Sequence, residues 1–191
     1  ARAADERRPG AHPAADRVGR GELHGILRRP RLRSRGEGIL LHNIQGHLVG
    51  KNVFAVDIDH LEIETARKNI PSAKLGVASA HYLPFSDAGF DLVICCEVLE
   101  HLDNPDLALR EIRRVTAKYC ILSVPNEPIW RILNICRGTY ISDLGNTPGH
   151  INHWSRRSFK QYVSDYFQIV ETTTPLPWIG VLGHQKTNWK A

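Results

Sequence analysis

Phe90-Asp91-Leu92-Val93-Ile94-Cys95-Cys96-Glu97-Val98-Leu99-Glu100-His101-Leu102 is the stretch that decides the fold of this 191-residue chain. Its first half is an apolar run bounded by Asp87-Ala88-Gly89, which suits a central parallel strand covered on both faces. Its second half turns polar at Glu97, where such a strand has to end. Upstream, Asn52–Ile58 reads as a strand and His60–Asn69 as a helix with Leu61, Ile63 and Ala66 available for packing. Lys74–Ala78 reads as another strand. Downstream, Asn104 is an N-cap, Pro105 takes the first helical position, and Leu107, Ile112 and Val115 supply apolar contacts. Tyr119–Val124 follows as a second buried strand.

Strands alternating with amphipathic helices predict an α/β fold with a largely parallel sheet covered on both faces. The alternation breaks after Pro125-Asn126-Glu127-Pro128, and about 25 residues pass before Ser155 caps a helix running to about Tyr166. An interruption of that length predicts a functional insertion. Within it, Ile129–Ile141 reads as a short amphipathic lid carrying Trp130, Leu133 and Ile135.

The net charge of +5 is unevenly spread. Residues 1–36 hold ten Arg, no Lys and four acids, a net of +6, whereas residues 37–191 come to −1. The expected division is an aberrant or disordered Arg-rich leader over 1–35 and one α/β domain over 36–191. The Arg residues lack interleaved aromatics, so no nucleic-acid partner is expected. No apolar run reaches the roughly 18 residues that span a bilayer, and no secretory signal opens the chain, so the expected location is cytoplasmic. Cys95, Cys96, Cys120 and Cys136 form no C-x-x-C pair and read as buried free thiols.

In order and spacing, Val56-Asp57-Ile58-Asp59, Tyr82-Leu83-Pro84-Phe85 and Phe90–Leu102 resemble the class I S-adenosylmethionine-dependent methyltransferases, especially small-molecule enzymes of the ubiquinone/menaquinone-methylase type. The resemblance runs from about Gly36 to about Lys186. It implies a doubly wound, Rossmann-like sheet closed by an antiparallel hairpin, here Gln168–Thr173 with Ile179–His184. It also implies S-adenosyl-L-methionine as cofactor and a small-molecule acceptor.

The resemblance assigns roles residue by residue. Asp57, at the second strand's tip, would accept the ribose hydroxyls, while Asp59 is better placed as a helix cap. Ile58 would flank the adenine, and the Ala78-Ser79-Ala80 turn would approach its edge. Relatives commonly carry Asp where this chain has Ser79, so adenine recognition is weakened or left to backbone. Glu97 would lie beside the methionine moiety, as a ligand for its ammonium or a substrate hydroxyl, or as a plain helix-terminal acid. His101 is a candidate general base or a loop-holding histidine. In Gly149-His150-Ile151-Asn152-His153-Trp154, His150 faces the pocket and Trp154 packs. His150 and His153 would ligate a metal only if further ligands converged, and the sequence signals none.

The family's first glycine motif, D-x-G-x-G-x-G, is matched only at its tail by Gly36-Glu37-Gly38. Ser34 replaces the first glycine and Leu32 the acid. The preceding strand would read Arg28-Arg29-Pro30-Arg31-Leu32-Arg33, and Pro with four Arg is physically wrong for a central strand. This predicts a truncated, chimeric or frame-shifted N-terminus, an N-terminally incomplete domain and impaired cofactor binding, so a non-catalytic or regulatory methyltransferase-like protein is the alternative function. A nicotinamide-dependent oxidoreductase shares the fold class, but the chain lacks an intact G-x-G-x-x-G.

Overall fold

The computed structural model describes residues 23–27 and 52–187. Seven strands form one sheet: β1 (Leu23–Leu27), β2 (Asn52–Asp57), β3 (Lys74–Val77), β4 (Phe90–Cys96), β5 (Thr116–Pro125), β6 (Phe167–Thr173) and β7 (Trp178–Gln185). Their order is β3-β2-β1-β4-β5-β7-β6. The first five run parallel; β7 inserts antiparallel between β5 and β6, so the chain ends in the expected hairpin. Helices α1 (His60–Asn69), α2 (Pro105–Val115), α3 (Glu127–Cys136) and α4 (Arg156–Ser164) link the strands.

The central strand is a finding that the sequence reading did not anticipate. It is Leu23–Leu27, within the Arg-rich leader, upstream of the 28–33 segment to which the spacing to Gly36 points. Strand β1 is described as far as Leu27, and Arg28 to Arg33 lie outside the described residues.

Most other elements start and stop where local chemistry says they should. Asp59 caps α1 by accepting the Leu61 N–H, and Asn104 caps α2 by accepting the Leu107 N–H at 3.1 Å. Ser155 and Ser158 form a reciprocal capping box on α4. The core lies on β4, β5 and β7, with Val93, Cys95, Leu122, Val124, Ile179 and Val181 all buried beneath Leu109, Ile112, Phe159 and Val163.

The Tyr82-Leu83-Pro84-Phe85 segment is held from below by α2. Arg114 donates to the carbonyls of Leu83 and Phe85 and to Glu111 and Asp87, and Glu111 accepts the Leu83 N–H. Phe85 packs edge-on against Phe90 and Phe54. This clamp fixes the loop that follows Ser79, beside the carboxyl end of β2. Cys95 and Cys120 are buried in strands, whereas Cys96 is only partly buried and Cys136, at the end of α3, is exposed, which corrects the buried-thiol expectation for those two.

Candidate active site

Because chain order reverses across β1 and β4, the carboxyl ends of β2, β1 and β4 frame the crevice in which such sheets bind ligands. Leu27 is level with Val56 on one side and Cys95 on the other, so Asp57 and Cys96 stand at equivalent heights two strand spacings apart, about 10 Å. Glu97 is the next residue out. The topology therefore brings Asp57 and Glu97 to one edge of the sheet.

On the β2 side the geometry is simple. Asp57 is buried and accepts the Asp59 N–H at 2.9 Å, which orients its carboxylate, while Ile58 beside it is 53% exposed. An apolar surface left open next to a buried acid suits a ligand with one flat and one hydroxylated part. The Ala78 N–H donates to the Asp57 carbonyl, tying the Ser79-Ala80 turn to the same strand end, and the Ser79 hydroxyl accepts the His81 N–H at 3.2 Å. Gly36 and Gly38, with Ser34 and Leu32, lie outside the described residues.

The β4 side is denser. Glu97 has a left-handed backbone, φ +57°, an uncommon and strained state for a non-glycine residue. Ser123 Oγ and Trp178 Nε1 donate to its two carboxylate oxygens at 3.1 and 2.9 Å. Burial raises its pKa to about 7, against the opposing pull of those two hydrogen bonds. A carboxyl group poised near neutrality at a strand tip has the hallmark of a functional position.

Beyond it, the turn Leu99–His101 and the segment 147–154 meet. The Ile151 and Asn152 N–H groups both donate to the Glu100 carbonyl, and Asn152 Nδ2 donates to the carbonyls of Leu99 and Leu102. His101 Nδ1 donates to the Gly149 carbonyl at 2.7 Å. Gly149 has φ +88°, and a Cβ there would stand 3.4 Å from that ring nitrogen, so glycine serves both the turn and the contact. The contact ties the 147–154 segment to the turn that carries His101.

His150 is buried and bonds through Nδ1 to Glu127 at 2.8 Å. Its ring lies 4.8 Å from that of His101, edge to face, and stacks near Trp130. Trp130 Nε1 and Asn134 Nδ2 both donate to Thr147 Oγ1, so α3 locks the loop that carries His150. Trp154 packs on Tyr162, as expected. His153 turns away and contacts Asn146, so it does not pair with His150.

Sequence reasoning missed Glu127, Trp130 and Thr147 as site residues. In the sequence Glu127 belongs to Pro125-Asn126-Glu127-Pro128, which marks only the break in the alternation; the one available signal is an acid in the first turn of an apolar helix, an ordinary dipole partner. Trp130 was assigned to a lid, and its bond to Thr147 joins positions 17 residues apart.

The model of the methyltransferase domain family matches residues 34–123. A probable S-adenosylmethionine-dependent methyltransferase of Mycobacterium tuberculosis is 32% identical over 81 residues, 41% of this chain and 30% of the relative. The chain spans less than a third of the length of the curated relatives it matches. Among solved structures, a SAM-dependent methyltransferase from Methanosarcina mazei superposes with a TM-score of 0.65 at 16% identity, covering 93% of this chain and 99% of that one. The magnesium protoporphyrin IX methyltransferase of Synechocystis, solved with bound SAH, gives 0.62 at 18% identity, covering 87% and 75%. No helix among the described residues is long and apolar enough to cross a membrane.

Proposed function

We propose that this chain, whose residues 34–123 match the methyltransferase domain family, is a class I S-adenosylmethionine-dependent methyltransferase that moves a methyl group from S-adenosyl-L-methionine to a small-molecule acceptor. The observation that carries the proposal is the placing of a buried, backbone-oriented Asp57 and a near-neutral Glu97 on one edge of the sheet, with two histidines behind Glu97. The residues present fit the cofactor: an acid and an open apolar surface at one strand tip, a second acid at the next.

The cofactor supplies an electrophilic methyl on a positively charged sulfur. Asp57 would accept the ribose hydroxyls, Ile58 flank the adenine, and Ser79 and Ala80 meet its edge. Glu97 would hold the ammonium group, and a cation there favours the ionised carboxylate that burial alone disfavours. Gly36 and Gly38 belong to the same proposal as the loop approaching the carboxypropyl arm. On the acceptor side, Nδ1 of His150 is committed to Glu127, so a neutral His150 takes up the acceptor's proton at Nε2. His101 sets the position of that ring through the Gly149 contact and shares the wall. Catalysis then rests mainly on positioning and on exclusion of water by α3.

Calorimetric titration with S-adenosylhomocysteine, paired with transfer of labelled methyl to a panel of hydroxylated and amino acceptors, tests this reading. Binding with turnover of at least one acceptor is the expected result. Binding without turnover across the panel favours the non-catalytic alternative, and absence of binding overturns the assignment of the crevice.

A further inference from the structure

We infer that Glu100, His101 and His150 form a binding site for a divalent transition-metal cation of the zinc type. One donor atom from each lies within 4.8 Å of the others, and His101 Nε2 is 3.7 Å from Glu100 Oε1. A tetrahedral centre with bonds of 2.0–2.2 Å sets its donors about 3.4 Å apart. The closest pair already stands near that spacing, and small side-chain rotations bring in the third.

The protons are arranged for coordination. A carbonyl oxygen only accepts, so the bond to Gly149 fixes a proton on Nδ1 of His101; the carboxylate of Glu127 does the same for His150. In each neutral ring the lone pair is then on Nε2. An imidazole that donates its other N–H to a carbonyl or carboxylate is the arrangement that orients metal-bound histidines and raises their basicity. Here both supporting acceptors are in place, and the edge-to-face rings have centroids 4.8 Å apart.

The frame is also fixed in advance. The Glu100 carbonyl receives two N–H groups from the 147–154 segment, and Asn152 bridges to Leu99 and Leu102, so the turn bearing two donors is stapled to the loop bearing the third. Two nitrogens and one carboxylate oxygen suit zinc, cobalt or ferrous iron, whereas magnesium and calcium prefer all-oxygen shells. Three protein donors leave a fourth position for water or another ligand. A cation there takes the Nε2 lone pair that proton transfer requires, so the metal-bound chain and the proton-accepting chain are different states. Metal binding does not rest on methyl transfer.

The test uses the full chain, stripped with a chelator and titrated with cobalt(II), then zinc(II). One equivalent of cobalt should give visible bands of tetrahedral intensity, displaced by zinc, without a near-ultraviolet thiolate band. Burial pushes Cys96 to about 11, so its thiolate does not compete at neutral pH. His101→Gln should weaken binding at least 100-fold, and Glu127→Gln about tenfold through His150. His153→Gln should leave it unchanged. The spectrum of the unmodified chain decides without any variant. Less than one equivalent bound, a thiolate band, or undiminished affinity in folded His101→Gln overturns the site.

Discussion

The two sides of the crevice are built differently. At the tip of β2, Asp57, Asp59, Ser79 and His81 satisfy one another within a few residues of chain. At the tips of β4 and β5, Glu97 meets Trp178 across 81 positions, His101 meets Gly149 across 48, and Glu127 meets His150 across 23. The first side is made of two short turns, 57–59 and 79–81, joined by the Ala78 N–H to the Asp57 carbonyl. The second exists only when the whole sheet and the long insertion are in place. On the proposed function the former side would hold the cofactor and the latter the acceptor, which would couple recognition of the acceptor to the folding of the insertion.

The largest expected effect breaks the non-local side. Glu127→Ala removes the partner of a buried histidine and leaves its ring N–H facing a dry interior. The loss should be about 3 kcal/mol in urea unfolding, with little change in the slope. A loss below about 1 kcal/mol would mean that the insertion is not part of the cooperative unit.

Next comes Glu97. Its folded-state pKa of about 7 lies above the ordinary 4.5. Between those values the folded chain holds more protons than the unfolded one, so this group's contribution to stability is full below about pH 4.5 and lost as pH rises through about 7. The span is at most about 2–3 kcal/mol, less where water screens the half-buried carboxylate. Glu97→Gln keeps acceptors and donors for Trp178 and Ser123 and removes the titration. The difference in stability between the two chains, measured across pH 4–8, should therefore favour the Gln variant increasingly as pH rises. A flat difference means that Glu97 titrates alike in the folded and unfolded chains.

The same contrast explains what the sequence made legible. The strands β2 to β7 and the caps Asp59, Asn104 and Ser155 follow from apolar runs and adjacent polar residues, all local signals. Strand β1 is not legible because Leu23-His24-Gly25-Ile26-Leu27 is short and stands in an Arg-rich segment, and because the spacing to Gly36-Glu37-Gly38 points to 28–33 instead. Asp57 was readable from its place after an apolar strand. The Glu127–His150 pair was not, since no periodicity links a helix N-terminus to a loop 23 residues later. His150 with His153 suggested a metal pair only by spacing; the fold separates those two and brings His101 and Glu100 to His150 instead.

The third prediction probes the local side. Asp57→Ala should weaken binding of S-adenosylhomocysteine by about 1–3 kcal/mol, the scale for a charged hydrogen-bonding group, while midpoints of unfolding move much less than in Glu127→Ala. Unchanged affinity in calorimetry, in a chain that binds, would remove Asp57 from the site. A matching loss of stability would instead make Asp57 a structural residue of the β2 turn.

The smallest effect sharpens the comparison by a gain. Ser79 accepts the His81 N–H through its hydroxyl, in a turn that Asp also forms with its own side-chain oxygen. Ser79→Asp therefore keeps the local hydrogen bond and adds a charged acceptor where the resemblance places the adenine amino group. The expected gain is about 0.5–1.5 kcal/mol in cofactor affinity, up to roughly tenfold, with no change in acceptor preference. The gain is small because the added carboxylate must also give up part of its hydration beside the partly buried turn. An altered ranking of acceptors in the Ser79→Asp chain would show that the two sides are not independent. A loss of affinity would place the adenine elsewhere along the edge of the sheet.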